Sequence, residues 1–214
     1  MRKSSFSYRV YYYVKKLRVA VLGPEGSGKT TFIKALSEHF NTICIKRYLE
    51  EIGEYDSTLV YDHGVLYAKK TRDSYTIICE KSAKDLVLKG LYRKLIRVDL
   101  WGAAGQPHLY SVRRTLIYPK ADAVVYVVDL SRPQTLNEAR VLLREAYQEI
   151  PGLEEGKVPF VLVMNKNDCR RVDYDYFPRS LGLVNITKYA VTASGGVDVE
   201  KPILEVLRLS ASST

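Results

Sequence analysis

The chain has 214 residues, 46% of them hydrophobic and 27% charged, with a net charge of +9. This length suits one α/β domain and is short for two, and the balance of apolar and charged residues excludes a disordered protein. The three cysteines, Cys44, Cys79 and Cys169, form no C-x-x-C pair, which argues against a zinc site or a disulfide scaffold and for a reducing compartment. No apolar run approaches the roughly 20 residues that span a bilayer. The basic, tyrosine-rich start lacks the apolar stretch of a signal peptide, so a cytoplasmic location is expected. Basic residues are spread along the whole chain rather than clustered, so no nucleic-acid partner is expected.

In chain order, residues 1–16 read as a leader, with Arg2, Lys3, Arg9, Lys15 and Lys16 set among aromatic and apolar residues. Phe6, Val10, Tyr13 or Val14, and Leu17 fall at helical spacing. Such a basic amphipathic segment would suit an anionic membrane surface, but an arm packed on the domain, or a disordered one, is the reading preferred. Residues 17–214 read as one domain. Leu17 to Leu22 is a strand ending in Gly-Pro, and Thr31 to His39 follows helical spacing. Residues 69–92 look like an addition, with a strand at Tyr75 to Cys79 and a short helix at Ser82 to Lys89. Leu95 to Trp101, Ala123 to Leu130 and Val158 to Met164 are buried-strand candidates, separated by helical stretches near 109–118, 134–148 and 197–209. Strands alternating with helices imply βαβ units. The fold expected is a three-layer α/β domain with a mostly parallel sheet and helices on both faces.

Two motifs follow strands. Gly23-Pro24-Glu25-Gly26-Ser27-Gly28-Lys29-Thr30 satisfies G-x-x-x-x-G-K-[ST]. Glycines let such a loop turn its N–H groups onto phosphates, and the following helix adds its positive end. Lys29 would neutralise the β- and γ-phosphates, and the Thr30 hydroxyl, followed by Thr31, would ligate Mg2+. The second motif is Asn165-Lys166-Asn167-Asp168, an N-K-x-D. Asp168 can accept from the ring N–H and the exocyclic amine of guanine. Adenine lacks that donor pair and would leave the carboxylate unpaired. Lys166 can lie over the base and Asn165 can tie this loop to the phosphate loop. Farther on, Thr192-Ala193-Ser194 would bring the Ala193 N–H to the guanine carbonyl. The expected ligands are therefore GTP or GDP with Mg2+.

These motifs together resemble a Ras-like small GTPase over nearly all of residues 17–209. The phosphate loop 23–33, and Ser57-Thr58-Leu59-Val60-Tyr61-Asp62-His63-Gly64, are similar to segments of archaeal and bacterial small GTPases, including the gliding-motility group and Arf-like proteins. Trp101-Gly102-Ala103-Ala104-Gly105-Gln106 resembles the Trp-Asp-Thr-Ala-Gly-Gln of the wider family. The resemblance implies that Thr58 ligates Mg2+ and senses the γ-phosphate, that Gly105 donates its N–H to it, and that Gln106 orients the attacking water. It also implies a switch with a protein effector or regulator. Glu25 stands where Ras has Gly and the Arf family has Asp, which leaves little room for an inserted arginine finger.

One position departs from the pattern: Gly102 stands where the family has an aspartate. Asp99 would restore a D-x-x-G only in a register that puts Ala103 at the glutamine position, and strand alternation turns Asp99 to the opposite face from residue 102. Gliding-motility GTPases lack the aspartate too. The leading expectation is a GTP-binding switch with slow intrinsic hydrolysis, on the order of 10⁻³ s⁻¹ or less. A non-hydrolysing nucleotide-binding module and an ATP-dependent P-loop enzyme are the alternatives.

Overall fold

The computed structural model describes residues 14–49, 59–72, 74–183 and 185–212. The central strands form because their residues are apolar on both faces, as a sheet covered on both sides requires. All seven residues of β6 (Ala123–Asp129) and all six of β7 (Phe160–Asn165) are buried. Next to them, β1 (Lys15–Leu22) exposes Lys15, Lys16 and Arg18 and buries the rest. The strand thus begins two residues before the expected boundary, because Lys15 and Lys16 pair with Ile96 and Arg97. A helix running from the leader into Leu17 is excluded by that pairing. The rest of the leader, residues 1–13, lies outside the described residues.

The remaining strands are β2 (Ile43–Leu49), β3 (Leu59–Lys70), β4 (Tyr75–Ile78), β5 (Leu95–Gly102) and β8 (Lys188–Ala190). Among the described residues the sheet has eight strands in the order β2-β3-β5-β1-β6-β7-β8. The pairs from β5 through β8 are parallel. β3 runs antiparallel to β5, to β2 and to β4. Residues 62–65 of β3 bond both β5 and β2, and residues 67–69 bond both β5 and β4. β2 and β4 therefore share the outer edge of β3, end to end. Neither β2 nor the length of β3 is foreseen in the sequence reading. The fold expected, a three-layer α/β domain with a mostly parallel sheet, is the one observed.

Helices α1 (Lys29–His39) and α5 (Glu200–Ser212) cover one face, where Phe32, Ile33, Leu36, Ile203, Val206 and Leu207 pack on Val19, Val21, Val125 and Val163. On the other face, α3 (Leu136–Glu149) and the helical stretch 107–120 pack on Ala20, Leu22, Tyr126 and Leu162. α4 (Tyr176–Ser180) joins them through Phe177. The stretch 107–120 is not the single helix expected there. It passes from 3₁₀ to a short α turn, to a π turn at Arg113–Ile117 and back to 3₁₀. Within 69–92, β4 and α2 (Glu80–Leu88) are present, and Ala83 and Val87 of α2 cover Val65, Tyr67 and Leu95. This segment sits away from the C-terminal ends of β1, β6 and β7, where α/β sheets place their ligands.

Candidate functional site

The loop between β1 and α1 and the loop after β5 face each other across a cavity of about 370 Å³. It is lined by Glu25, Gly26, Lys29, Thr30, Asp62 and residues 102–106. Lys29 is the first residue of α1 and is 8% exposed. Its Nζ donates to the carbonyls of Gly23 and Pro24 at 2.7 Å each. Burial lowers its pKa to about 8, against the opposing pull of Glu138, Glu25 and Asp62. A cation held at such cost, with α1's first N–H groups beside it, is the electrostatic signature of an anion site.

The acidic group that the sequence reading lacks at position 102 comes from the neighbouring strand. Asp62 pairs with Gly102 in the β3–β5 ladder, and the Thr30 hydroxyl donates to its carboxylate. The bare Gly102 makes this arrangement fit. A Cβ there would lie 2.8 Å from Ile33 and 3.1 Å from the Asp62 Cβ. Asp62 lies in the segment 57–64 that resembles other small GTPases. Its signal was the alternation Asp62, Gly64, Leu66, Ala68, which faces α1, and only the antiparallel register shows what it meets. Asp99 takes the opposite face, as expected, and is held by Arg97 at 2.8 Å and His63 at 3.2 Å. Burial alone would raise its pKa, but the hydrogen bonds from His63 and Arg97 and the Arg97 charge outweigh it and lower it.

The second motif joins the first. Asn165 is 2% exposed at the end of β7, and its Nδ2 donates to Ser27 O at 2.9 Å, the tie expected of it. Its Oδ1 accepts from the Ala193 N–H at 3.1 Å. The Ala193 amide, expected at the base, is thereby joined to the same asparagine that holds the phosphate loop. Ser194, the next residue, is exposed beside it. Asp168 is exposed in the short turn Asn167–Cys169. Lys166 is anchored by Asp129, a fully buried carboxylate ending β6 that the sequence reading passed over as part of an apolar run. Asp129 accepts from Lys166 Nζ and Arg132 Nε at 2.7 Å each and from Ser131. Arg132 in turn donates to Glu25 O at 2.8 Å. Burial raises the Asp129 pKa, and Lys166, Ser131 and Arg132 outweigh it, so the net direction is down.

At the cavity mouth Gln106 Nε2 donates to Glu25 Oε1 at 3.0 Å. Gly105 lies against the phosphate loop, so close that a Cβ would fall 2.6 Å from Glu25 N. Thr58 lies outside the described residues, and Thr31 is exposed on the first turn of α1.

The family model of the Ras family matches residues 18–209, from β1 into α5. The chain belongs to the Ras family. A curated relative, ADP-ribosylation factor-like protein 3 of Chlamydomonas reinhardtii, is 26% identical over 151 residues, covering 71% of this chain. The chain spans 63% of that relative's length. The likeness of this Ras-family chain to archaeal and bacterial members rests on the motif residues alone. Among the described residues, no helix is long and apolar enough to cross a membrane.

Proposed function

We propose that this Ras-family chain is a guanine-nucleotide switch, which binds GTP and GDP with Mg2+ and hydrolyses GTP slowly. The observation that carries the proposal is the direct bond from Asn165 to Ser27. It fixes an N-K-x-D loop, with its guanine-selective Asp168, at one distance from a lysine-bearing phosphate loop. Residues 23–30 would cradle the phosphates, Lys29 would neutralise them, and the backbone of Thr192 to Ser194, tied to Asn165 through Ala193, would meet the base. The donor set suits Mg2+, which favours a few hard oxygen ligands and keeps several waters. The Thr30 hydroxyl, the neighbouring Asp62 carboxylate and Thr58 would hold it. When bound, the ion supplies charge neutralisation for the phosphoryl oxygens. Gln106 Oε1 accepts from the attacking water, and the Gly105 N–H meets the γ-phosphate. γ-Phosphate contacts to residues near Thr58 and Gly105 would order them, and hydrolysis would release them to a protein effector or regulator. An anionic membrane surface met through residues 1–16 belongs to the same proposal.

A second reading, a nucleotide-holding module without turnover, is favoured by one contact. The Gln106 amide is bound to Glu25, which must let go for Gln106 to serve the γ-phosphate. Nucleotide extracted from the purified protein separates the readings. Bound GDP, displaced by GTP and GDP but not by ATP, is expected. Retained intact GTP would favour the module, and displacement by ATP would contradict guanine selectivity.

A further inference from the structure

α3 braces both sides of the cavity from one helix face. Glu138, in its first turn, accepts from the Glu25 N–H of the phosphate loop at 2.6 Å. Glu145 lies seven residues later, two turns on and therefore on the same face. It holds Arg113, accepting from Nε at 2.7 Å and from Nη2 at 3.0 Å. Tyr118 O–H fixes the same carboxylate at 2.6 Å. Arg113 is 2% exposed, the first residue of the π turn, and its remaining terminal nitrogen does not stay within this pair. Nη1 donates to Ala104 O and to Gln106 O, each at 2.8 Å. The guanidinium thus grips the carbonyls on both sides of Gly105, the residue seated on the phosphate loop. A contact circuit closes through Glu25, Glu138, α3, Glu145, Arg113 and Gln106, whose side chain returns to Glu25.

We propose that Arg113, braced by Glu145, is a positioning residue for hydrolysis: it fixes the backbone of 104–106 so that the Gln106 side chain stands at the cavity mouth. Arginine suits this work because its planar fork serves a carboxylate and two carbonyls at once, whereas a lysine ammonium cannot span them in the same geometry. π turns also recur at functional sites. The inference rests on the reading of Gln106 as the residue that orients water.

A double-mutant cycle in single-turnover GTP hydrolysis tests it, with fluorescent GDP affinity measured alongside. Arg113→Ala and Gln106→Ala should each slow cleavage about 10- to 100-fold, the cost of misplaced reacting groups. GDP affinity should stay within about twofold, because the loss is confined to the transition state. The double variant should be no slower than Gln106→Ala alone, and Arg113→Lys should not restore the rate. Losses that multiply, or Arg113→Ala cleaving at the parental rate beside a slow Gln106→Ala, would overturn the inference while leaving the role of Gln106 intact. Gln106→Ala at the parental rate would overturn both. Should Arg113→Ala fail to fold, Glu145→Gln serves instead: slowed cleavage with unchanged GDP affinity supports the inference, and an unchanged rate overturns it.

Discussion

Across one rung of the β3–β5 ladder, Gly102 gives up its side-chain space and Asp62 fills it. If Asp62 is the acidic group of the Mg2+ site, Asp62→Ala should raise the Mg2+ concentration needed to retain GDP by about 10- to 100-fold, the usual effect of losing a ligand or its support. Dissociation of a fluorescent GDP across a Mg2+ titration checks this, and an unchanged midpoint would contradict it. Gly102→Asp alone should not improve binding, because its Cβ meets Ile33 and Asp62. It should cost about 1–3 kcal/mol by overpacking, visible in a denaturant melt. Lys29 supplies a pH test. Its pKa in the nucleotide-free fold is about 8, below the ordinary 10.5. Between those values the unfolded chain holds more protons, so stability without nucleotide rises with pH there. Phosphates would restore the proton, so binding GDP at about pH 9 should take up close to one proton, and almost none at about pH 7. Calorimetry in two buffers of different ionisation enthalpy measures it, and equal uptake at both pH values would contradict the assignment.

Among the elements, the ends of β6 and β7 do the joining. Asp129 couples the Lys166 loop to the phosphate loop through Arg132. Removing a partner from a fully buried ion pair costs about 3–5 kcal/mol, but Lys166 and Arg132 are about a third exposed and can rehydrate. Asp129→Ala should therefore destabilise by only about 1–3 kcal/mol while weakening GDP binding clearly. Normal GDP affinity in that variant would show that the coupling is not used. α2 should behave in the opposite way. Val87→Asp puts a charge against Val65 and Leu95, costing about 3 kcal/mol in a thermal melt, with GDP affinity unchanged. A parallel loss of affinity would show that this added segment reaches the site.

How much of this can be read from residues follows from the same elements. β1, β6, β7 and α1 are visible as apolar runs or helical spacing, because burial on both faces leaves a local pattern. Both ligand loops are visible because glycine, lysine and aspartate occur there at fixed spacing. The Asp62–Gly102 exchange is invisible locally, since it depends on the register of two antiparallel strands about 40 residues apart at the antiparallel edge of a mostly parallel sheet. Asp129 hides in an apolar run, and Arg113 in a stretch whose spacing says only that it is helical. In each case a charged group is buried by partners distant in sequence.

At the scale of the molecule, the sheet places two loops and one strand-borne carboxylate around a cavity, and α3 contacts both loops, directly through Glu138 and by way of Arg113 through Glu145. The account claims that this assembly is a guanine-specific, slowly hydrolysing switch. Single-turnover phosphate release, followed with GTP and with ATP in the presence of Mg2+, tests that claim directly. The prediction is release from GTP on the order of 10⁻³ s⁻¹ or slower, none from ATP, and a further fall in Gln106→Ala. Equal release from both nucleotides, or rapid release from GTP that Gln106→Ala leaves unchanged, would contradict it.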